Sequence, residues 1–189
     1  VTHTLNLYGD FTANGTFDMS NGTGCANTYF KGTNNATISG SSATIDFYKL
    51  YVDKGTNTTP VLRLTTPISV TPLTGQLIYL LNGTFRVDNS ALTLNLSVAT
   101  TNFDVPSTAC LSVNAGVVRV AYNNGSGAGS ADLTLSGKLE VLGGSMLIGN
   151  TADARDNDIE YAAGGVPVID VRGGQLIVSG QIRRSTTIT

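Results

Sequence analysis

The most constraining feature of this chain is a short phrase that recurs along it. Two apolar residues one position apart are followed by a glycine corner and a second such pair. Leu133-Thr-Leu135-Ser-Gly137-Lys-Leu139-Glu-Val141 carries the phrase most cleanly. Leu111-Ser-Val113-Asn-Ala115-Gly116-Val-Val118-Arg-Val120 and Ile169-Asp-Val171-Arg-Gly173-Gly174-Gln-Leu176-Ile-Val178 repeat it, and Leu5-Asn-Leu7-Tyr-Gly9-Asp-Phe11 is a weaker copy. A period of two puts alternate side chains on one face of a strand. Glycine at a fixed corner permits a sharp bend and close approach of a neighbouring backbone. The repeated unit predicts an all-β fold, a parallel β-helix or solenoid, as a single segment over residues 1–189, at least from Tyr79 onward. The competing arrangement is an antiparallel sandwich, which the Asn-Gly bends favour.

The units starting at Leu111, Leu133 and Ile169 are 22 and 36 residues apart. A coil of roughly 22 residues carrying a polar insertion at Thr151–Gly165 accounts for both spacings. Tyr79-x-Leu81-x-Gly83-x-Phe85-x-Val87 fits the same template, with Tyr79 and Leu81 in the apolar positions. Leu62-x-Leu64 and Ile68-x-Val70, flanked by Pro60, Pro67 and Pro72, read as short strands with proline at their ends, where a lost N–H is tolerated. The first sixty residues are looser. Asn14-Gly15 and Asn21-Gly22 predict a hairpin-rich N-terminal portion.

Only 13% of residues are charged, about half the usual ~25%. Thr, Ser, Asn and Gly take their place, the usage of extracellular β proteins. A net charge of −2 offers no electrostatic attraction for nucleic acid. No apolar run approaches the ~18 residues of a membrane span. Cys25 and Cys110 lie 85 residues apart. With roughly 20–30 residues per coil they fall about 14–19 Å apart along the stack, beyond the ~7 Å reach of a disulfide, so two free thiols are expected. The chain begins at Val1 and ends in Arg-Arg-Ser-Thr-Thr-Ile-Thr without a polar cap, and is expected to be part of a longer, secreted protein.

No residue cluster points to a reaction, and no cofactor is expected. The best metal candidate is Asp153-Ala-Arg-Asp156-Asn-Asp158-Ile-Glu160, where Asp156, Asp158 and Glu160 offer oxygen ligands at alternate positions suited to Ca²⁺. The stretch lacks the glycine and terminal Glu spacing of an EF-hand, and a solvated insertion loop is its plainer reading. Gly125-Ser-Gly127-Ala-Gly129-Ser-Ala-Asp132 is read as a glycine corner, since a calcium nonapeptide array would repeat. His3 is the only histidine, which removes His-based triads and zinc centres needing several His or Cys ligands. Asp170 and Arg172 project outward from one strand, as a polysaccharide-cleaving β-helix requires. An ordinary cross-strand ion pair is the simpler account. Seven Asn-x-Ser/Thr sequons occur, at Asn14, Asn21, Asn35, Asn57, Asn82, Asn95 and Asn124; with this much Asn, Ser and Thr several are expected by chance, and they do not show that glycan is attached.

The phrases Leu133–Val141 and Val168–Arg184, with Leu5-Asn-Leu-Tyr-Gly-Asp-Phe-Thr-Ala-Asn-Gly-Thr-Phe17, resemble the giant, repetitive cell-surface adhesins of Bacteroidota, of the SprB-like gliding-motility type. The resemblance covers about half the chain and rests on repeat texture. It implies type IX secretion, surface anchoring, and a structural or adhesive role in a long filament. The partners it implies are the secretion and anchoring machinery and a surface or glycan ligand. It carries over no functional residues. The alternatives are a subunit that polymerises through open β edges and a carbohydrate-active or carbohydrate-binding β-helix.

If the alternation separates core from surface, Leu135→Asp should unfold the surrounding coils, because an unpaired buried charge is costly. Lys138→Asp should be nearly silent. Thermal denaturation of the two variants checks this, and equal tolerance would reject the pattern.

Overall fold

The computed structural model describes residues 1–21, 24–42, 44–70, 75–97, 101–121, 131–149 and 157–184. The fold is all-β, with parallel strands stacked as a solenoid. The chain passes over three faces in every coil. The first coil is β1 (Thr2–Leu7), β2 (Phe11–Thr12) and β3 (Phe17–Asp18). After the short β4 (Ser20–Asn21) comes the second coil, β5 (Gly24–Lys31), β6 (Ala36–Ser39) and β7 (Ile45–Phe47). The third is β8 (Lys49–Asp53), β9 (Val61–Leu64) and β10 (Ser69–Val70). The fourth is one bent strand, β11 (Ile78–Asn95), that crosses all three faces, and the fifth is β12 (Phe103–Val105) and β13 (Ala109–Val120). Then follow β14 (Leu133–Leu135), β15 (Lys138–Val141) and β16 (Ser145–Ile148), and β17 (Ile159–Tyr161), β18 (Val168–Val171) and β19 (Gln175–Val178). The strand β20 (Ile182–Arg184) starts another turn.

The second face runs unbroken through seven strands, β2-β6-β9-β11-β13-β15-β18. The first face is a ladder β1-β5-β8-β11 in the N-terminal half. Its counterpart in the C-terminal half is β12-β14-β17-β20. The third face is likewise two ladders, β3-β7-β10 and β11-β13-β16-β19. Among the described residues, the only antiparallel pairings are β4 on β5 and the bridge Gln76–Ser97. The N-terminal third is therefore part of the solenoid. Of the expected hairpins, one is seen where β4 pairs antiparallel with the start of β5, Asn21 opposite Gly24; the rest of the N-terminal third pairs in parallel, with Thr2–Leu7, Gly24–Lys31 and Lys49–Asp53 side by side.

In-register stacking sets like residue on like. On the second face Phe11, Ile38, Leu64, Val87, Val113, Val141 and Val171 form one inward column. Ala36, Leu62, Phe85, Leu111, Leu139 and Ile169 form the next. The residues from Ile38 to Val141 in the first column are wholly buried, each contributing roughly 1.5–3 kcal/mol. Leu133 and Leu135 are wholly buried too, as the alternation predicts. Their neighbours are Phe103–Val105 and Ile159–Tyr161, on a different face from Leu139–Val141.

That placement corrects the repeat spacing. The true equivalent of Leu111 is Leu139, and that of Leu139 is Ile169. The coils are then 28 and 30 residues long, within an overall range from 22 (Asn27 beside Lys49) to 30. No insertion is needed at 157–161, where Ile159–Tyr161 is a coil strand and Asn157 and Asp158 are buried. Tyr79 and Leu81 are corrected as well. Ile78 and Leu80 point inward, and a register shift between Leu80 and Asn82 reverses the phase before Phe85.

The corner between the second and third faces shows why glycine recurs. A Cβ on Gly144 (φ +66°) would lie 2.3 Å from the Gly116 carbonyl oxygen, and one on Gly174 (φ +69°) 2.2 Å from that of Gly144. Gly144→Ala should therefore cost more than about 2 kcal/mol, combining left-handed strain with a backbone clash. At Gly164 an added Cβ would meet nothing within 4 Å, and Ala should be accepted there within about 0.5 kcal/mol. Chemical denaturation of the pair measures the difference.

Candidate functional site

Parallel register also stacks the outward residues, and two outward columns carry most of the chemistry. On the second face the column is Thr37, Arg63, Arg86, Ser112, Glu140 and Asp170. Arg63 pairs with Asp88, whose other oxygen accepts from Asn114 Nδ2 at 2.7 Å. Arg86 donates to Ser112 Oγ at 3.1 Å and reaches Glu140 at 3.0 Å. Ser112 Oγ donates to the same Glu140 oxygen at 2.9 Å. Lys138 Nζ bridges Glu140 at 2.7 Å and Asp170 at 3.1 Å, and Arg172 closes on Asp170 at 2.7 Å.

This pairing fixes the charge states. Burial pushes the Glu140 carboxyl up, but hydrogen bonds from Lys138 and Ser112 and the charges of Lys138 and Arg86 outweigh it, and the net shift is downward. Arg172 and Lys138 hold Asp170 below its ordinary value, and Asn114 is the main cause of the same direction at Asp88. Lys138 is raised, chiefly by its bond to Glu140. Acid hydrolysis of glycosides needs two carboxyls with opposed pKa values. Glu140 and Asp170 are both held ionised. Asp170 and Arg172 form an ion pair with each other two residues apart, and the link of Asp170 across strands is to Lys138 on β15. Lys138 is corrected: it holds two carboxylates in place, so its charge reversal is not silent.

The first face carries an aromatic column. Asn6, Tyr29, Tyr51 and Tyr79 are in register. The rings stack face to face, 4.3 Å apart at 10° for Tyr29–Tyr51 and 4.7 Å at 15° for Tyr51–Tyr79. On one side stand Thr4, Asn27 and Lys49, and on the other Lys31, Asp53 and Asn82. Lys31 lies 5.3 Å from the Tyr29 ring centre, and Lys49 lies 5.7 Å from that of Tyr79 and 5.9 Å from that of Tyr48. Burial, then the neighbouring phenols Tyr29 and Tyr79, push Tyr51 up to about 12. Its hydroxyl stays protonated at any physiological pH. Sequence reasoning missed this column. Its signal was there: each tyrosine sits between two inward residues, in Thr28-Tyr29-Phe30, Leu50-Tyr51-Val52 and Ile78-Tyr79-Leu80.

The calcium candidates are placed differently from a loop. Asp156 lies outside the described residues. Asp158 is buried, accepts the Gln181 N–H at 2.7 Å and pairs with Arg183 at 2.7 Å. Glu160, on β17, pairs with the same guanidinium at 2.8 Å. Arg183 is thus the cation that both carboxylates hold, and they tie β17 to β20. Gly125, Gly127 and Gly129 also lie outside the described residues, and His3 is exposed on β1. Cys25 and Cys110 are free thiols. They sit on different faces three coils apart, and burial pushes Cys110 up to about 11. Several asparagines act across coils, Asn35 Oδ1 accepting from Val61 N at 2.9 Å and Asn102 Oδ1 from Asp132 N at 2.9 Å. A cleft of about 190 Å³ opens on the third face where its ladder is interrupted, lined by Leu64, Pro67, Ile68, Leu92 and Leu94. It offers no charged group. No helix among the described residues is long and apolar enough to cross a membrane.

No family model, curated protein or solved structure matches the chain.

The charged column has a defined pH dependence. A carboxylate with a depressed folded pKa stabilises the fold fully above its unfolded value and less as pH falls through the folded value. Glu140 therefore contributes above its ordinary 4.5, and the contribution fades in more acidic solution. Lys138 contributes below 10.5 and loses this only as pH rises through its higher folded value. Glu140→Gln should cost about 1–3 kcal/mol at neutral pH. The gap from the parent should close as pH drops below 4.5, read from melting temperatures across the range.

Proposed function

We propose that this chain is a rigid, adhesive segment of an extracellular surface protein. The observation that carries the reading is the second face. One ladder of seven strands runs the whole described length over an unbroken apolar column. Its outward charges are spent on one another along the same axis. Such an object resists bending and presents flat, polar, repetitive faces, which suits a spacer that also makes contact. Low charge, abundant Thr, Ser and Asn, and the resemblance to the repetitive adhesins of Bacteroidota support the same reading. Type IX export, anchoring at the cell surface and a part in gliding motility belong to this proposal through that resemblance.

Beads coated with the purified chain should attach to glycan-bearing surfaces under flow more strongly than beads coated with heat-unfolded chain. Equal retention of the two would reject adhesion by the folded face. Release of soluble sugar from any polysaccharide would move the assignment to a carbohydrate-active enzyme. Growth of fibres in a sedimentation assay would move it to a polymerising subunit.

A further inference from the structure

The outward column of the first face has a composition that the mechanics of a rod do not demand. Stacking covers both faces of Tyr51 and one face each of Tyr29 and Tyr79, at 4.3 and 4.7 Å between centres. The rings are half-buried, with one phenol per coil, and the Tyr51 hydroxyl interacts with that of Tyr29. The column is flanked on one side by Lys49 and on the other by Lys31. Both ammonium groups rest over tyrosine rings. Lys31 has a long pairing to Asp53 at 4.0 Å. Among the described residues Lys49 has no carboxylate partner, in contrast to the fully paired cations of the second face. The patch is thus a row of neutral hydroxyls between two ammonium groups, one of them uncompensated, on a chain whose net charge is −2.

We infer that this face binds an acidic glycan, a polymer of sugar acids laid along Tyr29, Tyr51 and Tyr79 with carboxylates on Lys49 and Lys31. The inference rests on the adhesive reading above and gives that reading its ligand. The phenols repeat along the solenoid axis at a spacing comparable with one sugar unit, so a linear polymer meets the same donor in each coil. Charge-assisted bonds from the two lysines supply the preference for acid over neutral sugar. A membrane surface fits less well: Leu81 is the only exposed large apolar side chain on the β8 and β11 part of this face, and shallow insertion needs an apolar face. A protein partner fits less well too, because interface centres are built on desolvated aromatic faces, and both faces of the central ring, Tyr51, are already covered.

The test is titration of the purified chain with polygalacturonate, its methyl-ester form, and vesicles of phosphatidylcholine with phosphatidylglycerol. Binding to the acid form that weakens with added salt is expected, with binding to the ester at least about tenfold weaker. Lys49→Gln should weaken binding to the acid form by about tenfold and leave binding to the ester unchanged. Tyr51→Phe, which keeps the stack and removes one hydroxyl, should weaken both by several-fold with an unchanged melting temperature. Arg184→Gln, a cation removed from the last coil, should have no effect. Equal binding of acid and ester, indifference to Lys49→Gln and Tyr51→Phe, or binding to the vesicles alone would each overturn the inference. Attachment of coated beads without polygalacturonate binding would reject this ligand and leave the adhesive reading standing. Loss of both would reject the two together.

Discussion

The structure depends on how closely its coils approach at the corners. Where Gly116, Gly144 and Gly174 stack, the carbonyl oxygen of one coil occupies the space that a side chain on the next would need. Ladder hydrogen bonds set the spacing at about 4.8 Å per coil, and at these corners only glycine fits within it, so the glycines permit the parallel ladders and in-register columns of the C-terminal coils. Once register is fixed, each position inherits its neighbours from the coils below and above. An apolar residue finds apolar residues, and burial of the column is cooperative along the axis.

The same rule makes charge awkward. Parallel register puts Arg63 directly beside Arg86, and Glu140 beside Asp170, and like charges in direct opposition destabilise a sheet. The chain resolves this with a neutral spacer and lateral partners. Ser112 separates the two pairs and lets Arg86 span two coil steps to Glu140. Asp88 neutralises Arg63 from the adjacent outward position, and Lys138 stands between the two acids. Tyrosine needs no such device. Neutral rings stack in parallel without the net-charge repulsion of like ions, so the first face tolerates an unmixed column that the second could not.

Much of the fold is legible because its two signals, alternation and the glycine corner, are local. The phase is harder. Gly137 and Gly144 sit at different corners, yet both are flanked by apolar-x-apolar pairs. At each, an added side chain would meet a carbonyl of the coil below, that of Pro106 at 2.1 Å for Gly137. Two corners under one constraint produce one texture. The phrase beginning at Leu133 thus passes for an equivalent of Leu111, and the false spacing creates an insertion that does not exist at Ile159–Tyr161. The tyrosine column is hidden by hydropathy, since a ring that is apolar by composition can face outward, and the register shift after Leu80 inverts the pattern around Tyr79. The partnership of Asp158 and Glu160 with Arg183 is illegible for a different reason. It joins two coils across a sequence separation that no local pattern encodes.

The bent strand β11 gives the rod an uneven mechanical profile. Among the described residues, the step from the third coil to the fourth is joined by ladders on the first and second faces, and the step from the fourth to the fifth by ladders on the second and third. One face in three is thus unfastened at each of two consecutive steps, and it is a different face each time. Under tension along the axis, the fourth coil is held by fewer strand pairs than its neighbours on either side. Any opening there would start on the third face below this coil and on the first face above it, while the second face stays joined throughout. A filament built of such segments would yield first at these joints and recover there. It would carry its compliance at fixed intervals, with the stiff ladders between them left intact.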